Sequence, residues 1–553
     1  MHASRKPRAL IVAIVVALGV LGLGAGSSGA ATAAAAAGGG VLRIAAEEEP
    51  SCGDWIANCA GSSWGVWSLG IQTLPQALIV DSDGNYVPGP VLADFPTLDA
   101  GPPMKITYRI APNAVWSDGQ PITSKDFEYL WKQITTGKGI YDTTGYADIE
   151  SIDTTDPKVA VVTMSAPYAA WRDLFGGFNF LLPSHLLEGK NRHKEMKDGY
   201  AFSGGPWMLD GGKAGWKRGK TITLVPNPDF WGPKPSISKV VFQFITNSAA
   251  ELQAVVTGQV QAAYPIPQQG QLDQLASKSN LTHEIAFGNE FEGFWINAAH
   301  FPFNSTAVRQ AVLYATDRQA IVDQIVKPSA GEGRVLQSFI VPTFRQYYMP
   351  TFATYDHDPT KVDELMQGDG WKKNSAGIWA KNGRTASFQI VTTAGNKNRE
   401  LTQQLWQSQL RQAGFDAKIK NASSDVLFGK LAPSGRFEVA LFSSVGTPDP
   451  GLCVLFCSKN IPNKKNDFTG QNWTRLVSRQ IDTLWSEADT ELDATKRANI
   501  VKEGQVVLAA TAISIPLFQQ PSVFVYDHTK IGGPVGTNTV LGPFYNLNEW
   551  VLK

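Results

Sequence analysis

The chain contains 553 residues with 49 basic and 49 acidic side chains, so its formal net charge is zero. An apolar fraction of 43% and sixteen tryptophans favour a packed globule over a disordered chain. The balanced charge gives no basic patch of the kind that nucleic-acid-binding proteins carry, so no nucleic-acid partner is expected. The length exceeds what a single core supports and predicts two or three domains.

The first forty residues are typical of an export signal. Basic residues near the start precede an apolar run, Ala9–Gly26, and Ala31–Ala33 offers a small-residue cleavage site. We therefore predict a signal peptide over residues 1–40 and an exported, extracellular or cell-surface protein. An uncleaved anchor is the alternative, because eighteen apolar residues could just span a membrane. Without this segment 46 basic and 49 acidic residues remain, a formal charge of −3.

The four cysteines form two close pairs along the chain, Cys52 with Cys59 and Cys453 with Cys457. An exported chain meets oxidising conditions, so two local disulfides, Cys52–Cys59 and Cys453–Cys457, are the simplest prediction. A four-cysteine zinc site is the alternative, although neither pair has the usual CxxC spacing.

The first strand is predicted at Val41–Ala46, and a tryptophan-rich loop, Pro50–Trp67, follows it. This loop contains Gly-Ser-Ser-Trp-Gly at 61–65, which has the GxSxG spacing of a nucleophile elbow. An elbow needs a strand directly before it and a helix directly after it. Here the motif follows a cysteine-flanked loop, so we interpret it as structural.

A central stretch, Phe291–Val326, begins as an aromatic and β-branched strand, which suits a half-buried sheet. Asn304 or Ser305 is predicted to cap a first helix, because a short polar side chain can accept the free N–H groups there. Asp317 is predicted to cap a second helix.

Strands and helices alternate in the C-terminal half, which predicts βαβ units and a largely parallel sheet. The predicted strands are Ser387–Thr393, Phe415–Lys420 and Phe437–Phe442, and the helices between them span 400–413 and 425–431. Ligands of such sheets bind beyond the carboxyl ends of the strands, where the loop Ser443–Cys457 begins.

Four stretches carry a resemblance to a known family. Trp116–Phe127, WSDGQPITSKDF, is similar to the pattern F-S-D-G-x-P-h-T-A-x-D-V, and Leu224–Trp231, LVPNPDFW, is similar to L-x-x-N-P-x-Y-W. Gly204–Trp207 resembles G-T-G-P-Y, and the central stretch resembles a fourth recurring segment. Together they resemble the peptide/nickel (family 5) extracellular solute-binding proteins of ABC transporters.

The resemblance implies an α/β, two-lobed periplasmic-binding-protein-like fold (type II, cluster C) with an extra domain. The ligand would be enclosed between lobes that close around a hinge. The implied domains are a signal peptide (1–40), lobe I (41–84, 201–290 and 516–553), the extra domain (85–200) and lobe II (291–515).

The resemblance also implies which residues meet the ligand. The first ligand loop would be Ser51–Trp67 and the second Ser443–Asp449. The candidate ligand-binding residues are Trp55, Asn58, Trp64, Trp67, Ser443, Ser444, Thr447, Asp449 and Phe518.

Two features depart from the family pattern. The family's acidic residue for a peptide's α-ammonium lies in W-x-G-D, and this chain has Thr447 at that position. Asp449 could reach the amine from two residues further on, or could simply belong to a turn. Family members are usually tethered through a cysteine at the processing site, and this chain has none near residues 31–33.

The implied function is the substrate-binding component of an ABC importer, which captures a peptide or peptide-like solute and delivers it to membrane permease subunits. A ligand-binding surface sensor of the same fold is the alternative, and a secreted hydrolase is disfavoured because no HExxH motif or credible nucleophilic arrangement is present. We expect a monomer that is not an enzyme and has no cofactor or metal site.

Overall fold

A mixed β-sheet of eleven strands runs through the molecule. The computed structural model describes residues 39–553 apart from 61, 82–83, 178, 269 and 538–539, so the predicted signal peptide lies outside the described residues. In chain order the sheet strands are β1 (Val41–Ala46), β2 (Trp207–Leu209), β3 (Trp216–Lys217), β4 (Thr221–Pro226), β5 (Lys239–Phe244), β6 (Ala262–Ala263), β7 (Leu281–Ile296), β8 (Ser387–Val391), β9 (Asp416–Ile419), β10 (Val439–Val445) and β11 (Ser514–Asp527).

The strand order is β9-β8-β10-β7-β11-β6-β1-β5-β4-β2, with β3 paired to β4. The β8–β9, β8–β10, β1–β5 and β1–β6 pairs are parallel, whereas β7 pairs antiparallel with both β10 and β11. The sequence therefore predicted the parallel pairs around β8 correctly, but it missed the antiparallel pairs at the centre of the sheet.

The long strands β7 and β11 connect two separate hydrophobic cores. The first core contains Leu42, Trp64 and Phe524, and the second core contains Phe294 and Trp406. Residues 523–525 of β11 contribute to the first core and a smaller third cluster, while its residues 515, 517 and 518 belong to the second. The cores are thus joined by continuous strands, the arrangement that a two-lobed fold requires.

Smaller sheets are present in addition to the main sheet. The segment 85–200 carries a four-stranded antiparallel sheet of Thr97–Asp99, Lys105–Arg109, Val159–Met164 and Ile149–Asp153, in that spatial order. Further strands pair as Leu78–Val80 with Tyr86–Pro88, Trp379–Lys381 with both Lys372–Lys373 and Arg384–Thr385, and Ile531–Gly532 with Val551–Leu552.

α-Helices lie between many of the strands along the chain. Those of four or more residues are Ser124–Thr136, Ser184–Leu187, Arg192–Met196, Ser248–Val256, Gln271–Ala276, Thr306–Tyr314, Arg318–Ile321, Lys327–Ala330, Pro359–Gly368, Lys397–Gln412, Cys453–Phe456, Arg479–Thr490 and Ala494–Thr511. Residues 63–73, 318–330 and 424–434 are continuous helical segments that include a wider π-type turn. Within the described residues, we find no helix that is long and apolar enough to cross a membrane.

The predicted helix caps are confirmed in part. The Asp317 side chain accepts a hydrogen bond from the Ala320 N–H group, as a helix cap should. Ser305 holds the cap position of Thr306–Tyr314, but its hydroxyl donates to Asp369 instead of accepting from the helix. The sequence could not show this, because Asp369 lies 64 residues further along the chain.

Both predicted disulfides are present. Cys52–Cys59 and Cys453–Cys457 have Cα–Cα distances of 5.9 and 4.7 Å. All four cysteines are therefore bridged, and the zinc alternative would have no thiolate ligands.

Candidate functional site

A cavity of about 390 Å³ lies between the first and second cores. Trp55 and Trp64 line it from the first core, and Phe291, Trp295 and Phe442 line it from the second. Its size falls within the range of ligand pockets, which are concave and mostly apolar.

The two cysteine-flanked loops meet at this cavity. β1 ends at Ala46 and delivers the first loop to the cavity wall, and β10 ends at Val445 and delivers the second. Both strands present their carboxyl ends there, which is where α/β sheets place their ligands. The predicted juxtaposition of the two loops is present in the structure.

The tryptophans of the first loop form an aromatic wall. Trp64 and Trp67 meet edge to face with ring centroids 5.5 Å apart, and Tyr264 packs against both at 6.4 and 5.2 Å. Trp55 stands edge to face with Phe180 at 5.7 Å. The rings of Trp55, Trp64 and Trp67 are almost fully buried in the first core and also line the cavity.

Asn58 and Phe518, two of the predicted ligand-binding residues, do not line this cavity. The backbone N–H of Asn58 donates to the carbonyl of Gly139 at 2.8 Å, which fixes the loop against the segment 85–200. Phe518 lines a separate, very small cavity beside Arg399.

In the second loop, Ser443, Ser444 and Thr447 line the cavity, but Asp449 does not. Asp449 is 6% exposed and forms an ion pair with Arg497, which also donates to the Ala488 carbonyl. Its carboxylate is therefore paired inside the protein, and a role of Asp449 in holding a ligand amine stays a prediction. The sequence could not reveal this ion pair, because Arg497 lies 48 positions away in the chain.

Three glutamates at the cavity were not among the candidates predicted from the sequence. Glu47 and Glu48 follow directly after β1, and Glu290 lies on β7; we call them the glutamate cluster. Burial raises the pKa of all three carboxyls, that of Glu47 to about 8, although Arg399 partly opposes the shift. The acidic run 47–49 at the end of a predicted strand was the signal that could have found the first two.

Glu290 owes its position to an irregularity in the sheet. The pairing of β7 with β11 shifts register between Phe287 and Phe291, so that 288–290 face the single residue Gln520. Such bulges often re-aim side chains next to functional sites. Both Glu290 and Gln520 line the cavity.

Arg399 connects the glutamate cluster to the second loop. Its Nε lies 3.1 Å from both carboxylate oxygens of Glu292, and its other nitrogens donate to Thr393 and Ser443 at 3.1 and 3.0 Å. The Ser443 hydroxyl in turn donates to Glu290. Arg399 and Glu292 thus form a nearly buried, hydrogen-bonded ion pair, with side chains 11% and 4% exposed.

The segment 85–200 contributes two more carboxyls to the cavity, Asp142 and Asp173, which we call the aspartate pair. Asp142 accepts hydrogen bonds from Thr144, and Asp173 accepts one from the Tyr86 hydroxyl at 2.6 Å. Burial raises the pKa of both, that of Asp173 to about 6. Within the described part of the chain, no group of three or more His, Cys, Asp or Glu side chains is placed to hold a metal ion.

The large mixed sheet and the cavity between the two cores belong to a periplasmic-binding-protein fold, as comparison with solved structures shows. The oligopeptide-binding protein AppA from Bacillus subtilis, solved with a nonapeptide, superimposes with a TM-score of 0.82 at 18% identity, covering 93% of this chain and 99% of that one. A periplasmic EDTA-binding protein, EppA, gives a TM-score of 0.80 at 23% identity, covering 93% and 96%.

The sequence profile of the bacterial extracellular solute-binding proteins, family 5 Middle, matches residues 90–462. The chain belongs to this family and is a solute-binding protein of the kind that serves ABC importers. The oligopeptide-binding protein OppA of Mycobacterium tuberculosis strain H37Rv is 25% identical over 501 residues, which cover 89% of this chain and 81% of that protein. The resemblance predicted from the sequence is confirmed, and so is the fold class.

Proposed function

We propose that this protein captures a peptide or peptide-like solute in the cavity between two lobes and delivers it to the permease of an ABC importer. The observation that carries the proposal is the cavity itself, which receives side chains from both cores. A ligand favours a closed form only if it contacts both lobes, and this cavity allows it to do so. The peptide ligands named for AppA and OppA support the choice of solute class.

We assign lobe I to 41–84, 201–290 and 516–553, lobe II to 291–515, and the extra domain to 85–200. The first and second cores largely follow this division. β7 and β11 cross between the lobes, and their register shift near Gln520 lies at the cavity. A hinge at that point would move the two cores relative to each other without breaking either.

Hydrogen bonds join the proposed lobe II to lobe I and to the extra domain. The Ser424 hydroxyl of lobe II donates to Glu48 of lobe I at 2.9 Å. Gln471 of lobe II accepts from the Tyr141 hydroxyl of the extra domain at 3.2 Å. A ligand that contacts both lobes would add to these bonds and favour the closed form.

The exported protein acts as a monomer and leaves its ligand chemically unchanged. The family is a solute-binding one, and Ser63 of the GxSxG motif begins a helix without a strand directly before it. This arrangement differs from a nucleophile elbow.

Calorimetric titration of the ligand-free protein with pools of tri- to pentapeptides tests the proposal. We expect saturable binding by at least one pool, and chromatography should recover the peptides intact. A matched Trp64→Ala variant should bind more weakly, whereas Trp371→Ala, in the second core away from the cavity, should not. Absence of binding by every pool, or cleavage of the peptides, would contradict the proposal.

A further inference from the structure

The titratable side chains that line the cavity are almost all acidic. The described lining residues include five carboxyls, one guanidinium, and neither lysine nor histidine. The carboxyls are those of the glutamate cluster and the aspartate pair, and the guanidinium is that of Arg399. Burial favours the protonated form of these carboxyls in the empty cavity, so a bound cation would favour their ionised form and be attracted to them, whereas an anion would be repelled.

Arg399 offsets only part of this acidity, because it is already paired with Glu292. Both carboxylate oxygens of Glu292 lie 3.1 Å from its Nε. The pair is nearly buried, and removing such a charge from its partner is costly. The three carboxyls of the glutamate cluster therefore share one cation with Glu292, and a ligand carboxylate would find no unpaired cation among the described lining residues.

The aromatic wall adds a second reason to expect a cation. Glu47 lies beside the Trp64 indole, and Tyr264 is close enough to interact electrostatically with both Glu47 and Glu290. An ammonium or guanidinium group is attracted to the faces of tryptophan and tyrosine rings. Carboxylates and aromatic faces that share one wall form the combination that recognises organic cations.

The buried side-chain carbonyl oxygen of Gln520, which lines the cavity, has no hydrogen-bond partner among the described residues. A buried polar group without a partner is costly, so a ligand that donates a hydrogen bond would satisfy this oxygen.

We propose that the solute carries net positive charge and places an ammonium or guanidinium group between the glutamate cluster and the rings of Trp64 and Tyr264. This inference rests on the proposed function and narrows its ligand class from peptides in general to cationic ones. It also assigns amine binding to Glu47 and Glu48, which follow β1, and to Glu290 on β7. Asp449 in the second loop is already paired with Arg497.

Three tripeptides of different net charge test the inference on the wild-type protein. Calorimetry would compare Ala-Lys-Ala amide, zwitterionic Ala-Ala-Ala and Ala-Glu-Ala with a free carboxylate. We expect the lysine amide to bind at least tenfold more tightly than Ala-Ala-Ala, and Ala-Glu-Ala to bind most weakly. Because exposed and partly exposed charges are screened by salt, the preference should shrink as ionic strength rises.

The double variant Glu47→Gln/Glu290→Gln keeps the shape and hydrogen-bonding capacity of the side chains while removing their charge. It should bind the lysine amide at least tenfold more weakly than the wild type does and lose most of the preference for the lysine amide over Ala-Glu-Ala. Glu284→Gln is the matched control, because Glu284 lies on β7 but does not line the cavity. It should behave as the wild type does.

The outcomes separate the inference from the function on which it rests. If the wild type binds all three tripeptides equally, or binds Ala-Glu-Ala most tightly, the inference is overturned and the peptide-binding function stands. If the double variant folds but keeps the full preference for the lysine amide, the glutamate cluster is not its source and the inference is also overturned. If no peptide of any charge binds, the proposed function fails and the inference fails with it.

Discussion

Replacing Glu47 by glutamine should stabilise the ligand-free protein at alkaline pH and change its stability much less at acidic pH. Burial raises the pKa of this carboxyl from its ordinary value of 4.5 to about 8, with Arg399 opposing the shift and Glu48 and Glu290 adding to it. The folded state therefore holds a proton that the unfolded chain has already released. Stability from this group is fully present below pH 4.5 and is lost as the pH rises through 8.

The free-energy difference depends on how many pH units lie in the range over which the wild type loses this stability. From pH 5.5 to pH 8 this range is about 2.5 units, and each unit corresponds to about 1.36 kcal/mol, which sets a ceiling near 3 kcal/mol. Glu47 borders a cavity that water can enter, so we expect about 1–2 kcal/mol after screening. Glu251, which is fully buried and interacts with Glu47, has a raised pKa as well and should ionise more easily in the variant.

Urea unfolding of the ligand-free proteins at pH 5.5 and pH 9 measures this difference. The free energy of unfolding of Glu47→Gln should exceed that of the wild type at pH 9, and the two should be nearly equal at pH 5.5. Glu284→Gln should show no such pH-dependent gain. A difference between Glu47→Gln and the wild type that is the same at both pH values would refute the reasoning.

Three further predictions concern the loops. Thiol titration of the unreduced, denatured chain should find no reactive cysteine, and four reactive thiols would contradict both disulfides. Trp64→Ala should weaken peptide binding by about 1–3 kcal/mol, measured by calorimetry, because a buried aromatic side chain at the cavity is a typical hot spot. Asp449→Asn should lower the free energy of unfolding by about 3 kcal/mol, because it leaves Arg497 buried without its partner. Its effect on peptide affinity should be under threefold. A large loss of affinity at unchanged stability would show instead that Asp449 contacts the ligand.

Local patterns predicted the elements that depend on nearby residues. The strand Val41–Ala46 has the predicted bounds, and Asp317 caps the helix that starts at Arg318, as predicted. Both follow from short-range chemistry: an apolar run flanked by polar residues, and an aspartate whose carboxylate accepts the first N–H groups of a helix. The disulfides follow in the same way from spacing within one loop.

The binding-site residues were harder to predict, because long-range pairing decides which charges stay free. Asp449 looked available in its loop, yet Arg497 approaches it from a distant helix. Glu290 looked like an ordinary strand residue, yet the bulge opposite Gln520 brings it to the cavity. Neither the ion pair nor the bulge leaves a local signal, so the sequence located the two loops but not the charges between them.

Small-angle scattering with and without saturating Ala-Lys-Ala amide tests most directly whether the solute is enclosed between the two lobes. If closure around the ligand is correct, the radius of gyration of the wild type should fall on binding, and Trp64→Ala should need a higher peptide concentration for the same change. A scattering profile that stays unchanged while calorimetry shows the site to be full would contradict closure of the lobes around the solute.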